Sequence, residues 1–315
     1  MSQNPDLTTP KDQTQAMENP VAAVLPDLVG AQAAPPRRVT FGWLAGQRQM
    51  QIGLVIVLGM LVIAVLAPLL APFDPEQATS DVLQPPSATH PFGTDISGFD
   101  VLSRTLYAPR VDILIAFTST LLAMAVGIPL GIIAGYRRGL QSEAMSRGFD
   151  IIQAFPFFIL ALVLLGIFGP SVRNLIFVVA FVNAPIYFRL MKSQAQMLAG
   201  RQFIEAARVA GCRDRDLMFR HILPNSLTPA LAQMSVTIAW SVILTAGVSF
   251  VGAGVRAPTP EWGVMIANGA AQMQTGQWWP ALFPGAVLAL SVIGYALVGN
   301  AITDVMDPRK RSANA

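Results

Sequence analysis

An all-α membrane protein with six transmembrane helices is the fold class this sequence predicts, and three observations predict it. Hydrophobic residues make up 53% of the 315-residue chain and charged ones 12%, about half the charged share of a soluble domain; mean hydropathy is +0.52. The apolar residues gather into stretches close to the ~20 residues that cross a bilayer as a helix. Of the 21 Lys and Arg, all but Arg104, Arg110, Arg173 and Arg256 fall on one set of alternate connections, the asymmetry that marks the cytoplasmic side.

Residues 1–40 are polar, carry Pro10, Pro20, Pro26, Pro35 and Pro36, and hold no aromatic residue. They read as a disordered cytoplasmic tail. The first apolar stretch comes too late for a secretory leader, so a retained anchor is expected. Spans are expected at about 52–70, 113–135, 151–168, 175–189, 229–251 and 281–299 within a domain covering 41–311, before a short tail, 312–315. No backbone partner exists in lipid, so each must be a helix. The third carries Pro156, and the fourth is short and interrupted by Asn183 and Pro185; kinks and polar groups at that depth can line a pathway or be satisfied by neighbouring helices. Trp278 and Trp279 precede the sixth and read as interfacial anchors. Both termini of this multi-pass chain are expected in the cytoplasm.

Two connections are long: 71–112 outside, rich in proline and acidic residues, and 190–228 inside, rich in arginine. Loops of that length are usually functional. In the outer one Asp95, Asp100 and Arg104 are candidates for contact with an external protein, or simply cap and solvate a short helix.

Several chemistries are disfavoured. A net charge of +3, scattered along the chain, points away from nucleic acid. Cys212 is the single cysteine, and His90 and His221 are expected on opposite sides of the membrane, which disfavours a metal cluster or a His-based intramembrane enzyme. Ionisable residues are almost lacking within the spans, unlike secondary transporters driven by an ion gradient. The phosphate-loop pattern G-x-x-x-x-G-K-[ST] does not occur.

The inner connection reads EAARVAGCRDRDLMFRHILPN from Glu205 to Asn225. Helix formers dominate 194–209, with Met197, Ile204 and Ala207 on one side. Gly211 is suited to a left-handed C-cap, Asp214 and Asp216 favour a new helix start, and Pro224 is expected to close that second helix. The predicted product is helix, tight turn, helix. Such a hairpin can lie on lipid headgroups, or its small residues can admit another protein's backbone.

Glu205, Ala206, Ala207, Gly211, His221, Leu223 and Pro224 resemble the EAA motif of ABC importer permeases at its usual spacing, although Arg213 stands where a capping Ser or Thr is common. HPFGTDISGFDVLSR from His90, SFVGAGVRAPTPEWGVM from Ser249 and the closing DPRKR resemble the C-type subunits of dipeptide, oligopeptide and nickel permeases, with Phe99 and the Ala108-Pro109 pair as departures. The resemblance implies a type I importer fold and a role as half of an ATP-driven pathway for di- or oligopeptides, with nickel the alternative. It implies that Glu205, Ala206, Ala207 and Gly211 contact cytoplasmic ATPases. It also implies a homologous B-type permease partner, two ABC ATPase subunits that bind ATP and Mg, a solute-binding protein, and no cofactor held in this chain.

Overall fold

The structure, a computed structural model, describes residues 48–137 and 139–306. The tails expected at 1–40 and 312–315, Arg138 and the closing DPRKR lie outside the described residues. Nine helices make up the described chain: α1 (Arg48–Leu70), α2 (Val101–Tyr136), α3 (Leu140–Ala154), α4 (Phe157–Phe168), α5 (Val172–Ala199), α6 (Gln202–Val209), α7 (Asp214–Phe250), α8 (Trp262–Met273) and α9 (Trp279–Met306). Among the described residues, β pairing is limited to one isolated bridge, Thr94 with Asp100. α1, α2, α5, α7 and α9 are long and apolar enough to cross a membrane, and α3 with α4 makes a sixth span if the bent pair counts as one.

At the centre, α2 lies along α5. Gly127, Gly131 and Gly135 recur every four residues on α2, and their backbones sit against the backbones of Ala184, Phe188 and Lys192 on α5. Small residues at that spacing let two helices approach closely, so dispersion and backbone contacts hold them where lipid supplies no hydrophobic drive. α1 presents most of its surface outward, with Val55 and Val65 more than two-thirds exposed, and buries Gly53, Met60, Ala64 and Ala67. Gly53 packs on Leu297 and Val298, and Gly294 on Ile56, which seats α1 against α9.

Four boundaries differ from expectation, each for a physical reason. α2 begins at Val101 rather than near 113, because the Asp100 carboxylate caps it by accepting from Ser103 N at 2.7 Å. The expected third span is two helices meeting at 89°; Phe155, before Pro156, is extended at φ −85°, ψ 140°, as the proline ring demands. α5 runs through Asn183 and Pro185 without a break to Ala199, into what reads in the sequence as the inner loop. Pro224 does not close a helix: α7 continues through it by way of a π-helical stretch, Leu217–Ile222, in which Leu223 N bonds Met218 O. The wider turn relieves the clash a proline makes with the preceding turn.

α8 is an additional helix that the sequence reading left unassigned. Glu261 caps it, its two carboxylate oxygens accepting from Gly263 N (2.9 Å) and Val264 N (2.8 Å). Trp262 N donates to Asp112 Oδ2 at 3.2 Å, which ties α8 to α2. Burial pushes the Glu261 carboxyl above the usual carboxylate range, against the two capping hydrogen bonds.

Candidate functional site

The hairpin of α6 and the start of α7 closes one end of the helix bundle. Ile204 of α6 and Leu217, Met218 and Ile222 of α7 are buried in one apolar cluster with Ile128 and Ile132 of α2 and Tyr187, Met191 and Ala195 of α5. Ala207 and Cys212 pack on the same cluster, whereas Met197 is 56% exposed and lies on α5. The hairpin is therefore docked on its own chain through one face.

Its turn is set by hydrogen bonds. Gly211 sits at φ +86°, its N–H donates to Arg208 O at 3.0 Å, and Cys212 N donates to Ala207 O at 3.1 Å. This is a Schellman cap, in which two otherwise orphaned carbonyls are satisfied because one residue enters the left-handed region. A Cβ on Gly211 would meet nothing within 4 Å, so the backbone angle, not crowding within the chain, is what demands glycine there. Arg213 precedes the second helix without making a side-chain cap.

A polar joint ties the hairpin to the end of α2. Tyr136 Oη donates to Asp214 Oδ1 at 2.6 Å and accepts from Arg208 Nη2 at 3.3 Å. The Arg208 guanidinium also lies 5.8 Å from the Tyr136 ring centroid. The opposite face of α6 is open: Glu205, Ala206, Ala210 and Gly211 are exposed, as are Phe203 (45%) and Val209 (90%). An exposed valine and phenylalanine among small residues, bordered by Arg201 and Arg208, form an apolar face without a partner among the described residues.

At the other end of the bundle, the outer candidates turn inward. Asp100 and Arg104 are buried. Asp100 caps α2 and lies 2.8 Å from His90 Nδ1. Arg104 donates to Pro75 O at 3.1 Å and stacks over Phe99 at 4.3 Å. Asp95 accepts from Ser97 N and Phe99 N, both at 2.9 Å; burial pushes its carboxyl up, opposed by those bonds. These three organise the segment that precedes α2, and Asp100 and Arg104 offer no free surface for a partner. Trp279 is likewise no lipid anchor: it is buried and donates to Thr94 O at 3.1 Å, whereas Trp278 is 45% exposed.

Asn183 and Pro185 are both buried in α5. Asn183 Nδ2 donates to Ser241 Oγ at 3.0 Å, while Oδ1 has no partner. Asn183 also lines a cavity of about 770 Å³ in the elbow between α3 and α4. The sequence flagged Asn183 but gave no sign of Asp150, Arg189 and Trp240, which share the cavity; their separation along the chain hides it. No group of His, Cys, Asp and Glu suited to a metal ion occurs among the described residues.

Comparison with known proteins adds the family. Residues 127–312 match the model of the binding-protein-dependent transport system inner membrane component. Residues 48–86 match the N-terminal TM domain of oligopeptide transport permease C. The chain is 37% identical over 281 residues to a dipeptide transport system permease protein DppC of Alkalihalophilus pseudofirmus, covering 89% of this chain and 92% of that one. It is 34% identical to a di/tripeptide transport system permease protein DppC of Pseudomonas aeruginosa, over 83% and 88% of the two chains. It is also 34% identical to a glutathione transport system permease protein GsiD of Pectobacterium atrosepticum, over 82% and 86%.

Proposed function

This chain belongs to the family of binding-protein-dependent transport system inner membrane components, and from that premise we propose that its α6–α7 hairpin is the seat for a cytoplasmic ATPase that drives peptide uptake. The chain is a multi-pass inner-membrane permease subunit of an ABC importer, not an enzyme. Its substrates in this reading are di- or oligopeptides, in keeping with relatives named for dipeptides, di/tripeptides and glutathione. Both termini and the hairpin face the cytoplasm in this reading, which the excess of Lys and Arg on that side supports. A homologous B-type permease supplies the other half of the pathway, two ATPase chains bind the ATP and Mg, and a solute-binding protein delivers the peptide.

One observation carries the ATPase assignment: a hairpin anchored by a buried face, to which Ala207 belongs, exposes an opposite face around Glu205, Ala206, Val209, Ala210 and Gly211. An unpartnered apolar patch in water marks a protein contact. Closure of the ATPases, transmitted through the Tyr136–Arg208–Asp214 joint and the shared apolar cluster, would displace α2, α5 and α7 together and bias the pathway between inward- and outward-open states. ATP shifts that balance only through its differential affinity for the two ATPase arrangements.

The test is a Phe203→Asp/Val209→Asp variant co-expressed with its partner subunits. Both side chains are exposed, so insertion and pairing with the second permease should persist while the ATPases no longer co-purify and ATP-driven uptake is lost. Wild-type ATPase content and uptake in that variant would refute the assignment.

A further inference from the structure

The cavity in the α3–α4 elbow joins charges of both signs to an apolar wall. At its rim Arg189 Nη2 of α5 donates to Asp150 Oδ1 of α3 at 2.8 Å, with the two side chains 56% and 45% exposed. Deeper in, the buried Asn183 keeps an unpartnered Oδ1. Phe157 and Trp240, ring centroids 4.7 Å apart, form the apolar side. A volume of about 770 Å³ lies within the ~300–1,000 Å³ usual for small-molecule sites.

We propose that this cavity is a binding subsite for a short peptide with free termini, a reading that rests on the peptide-importer assignment above. A zwitterionic peptide carries the two charges needed to replace the existing ion pair with two new ones. Its α-carboxylate takes the Arg189 guanidinium, which suits a planar carboxylate bidentately, and its α-ammonium takes Asp150. Neither protein charge is left without a counter-charge. An ion pair this exposed is held weakly, so it opens readily. The N and carboxylate carbon of an extended dipeptide stand roughly 5–6 Å apart, the ~3.8 Å Cα step plus an N–Cα and a Cα–C bond, so α3 and α5 must part by several ångströms at the elbow to admit it. Asn183 Oδ1, buried and unpartnered among the described residues, accepts a peptide N–H once the elbow opens to expose it, and the Phe157–Trp240 wall receives side chains with little discrimination among them. Selectivity then falls on the termini, the feature common to all short peptides.

The experiment uses the assembled transporter, purified with its partner subunits, in a Cys212→Ser background with a thiol introduced by Gln153→Cys; Gln153 is exposed and lines the cavity. The probes are L-alanyl-L-alanine and its N-acetylated, C-amidated form. With free-termini peptide at about ten times its Kd, alkylation of the thiol should slow about tenfold. The blocked peptide should give no protection, and Asp150→Asn or Arg189→Gln should abolish protection by the free one. Equal protection by both peptides, or none by either, overturns the proposal. ATP-driven peptide uptake measured on the same preparation separates the readings. Uptake without protection leaves the importer assignment standing and removes the subsite, whereas uptake independent of ATP removes the assignment itself.

Discussion

Substitution of Gly211 separates the two reasons a glycine can be needed at a coupling hairpin. The residue holds φ +86°, and an L-residue with a Cβ in that region costs roughly 1–2 kcal/mol, a factor of about ten in the local equilibrium. Nothing lies within 4 Å of where the Cβ would be, so no intrachain clash adds to that cost. Asparagine visits the left-handed region comparatively easily, alanine less so, and valine least, since its β-branched side chain also crowds its own backbone. If the backbone angle governs, ATP-driven uptake in reconstituted proteoliposomes should fall in the order Gly, Asn, Ala, Val. Gly211→Val should abolish it with membrane insertion intact, because Ile204, Leu217 and Ile222 still anchor the hairpin. Wild-type uptake in Gly211→Val would refute the coupling role. Equal loss in Gly211→Asn and Gly211→Val would refute the conformational argument, and would place the demand for a small residue in the ATPase groove.

Other perturbations test the frame that carries the hairpin. Gly131→Val would drive its Cβ against the Phe188 carbonyl and Met191 Cβ, so folded protein should be lost on size-exclusion in detergent, whereas Gly148→Ala, with open space around it, should behave as wild type. Asp100→Ala removes the α2 cap and the His90 partner; a cap is worth about 1–2 kcal/mol, and at about 2–4 °C per kcal/mol for a domain of 150–250 residues the melting temperature should drop by several degrees. An unchanged melting temperature would count against the cap. Glu261 has its carboxyl raised by burial, so between its ordinary and its folded value the native state holds more proton than the unfolded one, and stability falls as pH rises through that window. Glu261 shares its proton with the neighbouring Asp112 carboxyl, so the pair titrates together: Glu261→Gln should change the slope of this decline in thermal melts recorded across that range, and an identical slope in the variant would show that the pair does not titrate on unfolding.

The sequence revealed those parts of the fold that lipid selects and obscured those that protein covers. α1 and α9 are legible because long runs of their outward faces are apolar. The first three turns of α2 carry Ser103, Arg104, Thr105, Arg110 and Asp112, and hydropathy places them outside. They are helical because the preceding segment and α8 bury all of them but Arg110, with Arg104 on Pro75 and Asp112 on Trp262. Asp100 three residues ahead of Ser103 was a readable cap, as was Glu261 ahead of α8. The break at Pro156 was equally available from the restriction a proline places on the residue before it. Pro224 misled for the opposite reason, since a π turn several residues upstream is a tertiary accommodation with no local composition signal. In the candidate site, Gly211 and the EAA residues are local in sequence, so their pattern stands out there. The joint at Tyr136 spans 78 residues to Asp214 and is visible only in three dimensions.

The arrangement also explains how a small hairpin could move a large bundle. α6 follows α5 after only Gly200 and Arg201, and α7 begins inside the hairpin and crosses the molecule without interruption. The hairpin is thus the meeting point of two long helices, not a loop on slack tethers. Glycine-backed packing makes α2 and α5 one body, and Tyr136 fastens the end of α2 to both arms of the hairpin. α3 is held to that body by polar contacts, Ser142 to Ala134 O, Lys192 to Ser146 and Arg189 to Asp150, and by the Phe149 ring stacked on Phe188 at 4.2 Å. Side-chain hydrogen bonds and exposed ion pairs exchange partners at far lower cost than packed glycine contacts. In the proposed reading, displacement of the hairpin would carry α2, α5 and α7 as a unit, and the exposed Arg189–Asp150 pair at the rim of the cavity would yield before the Phe149–Phe188 stack.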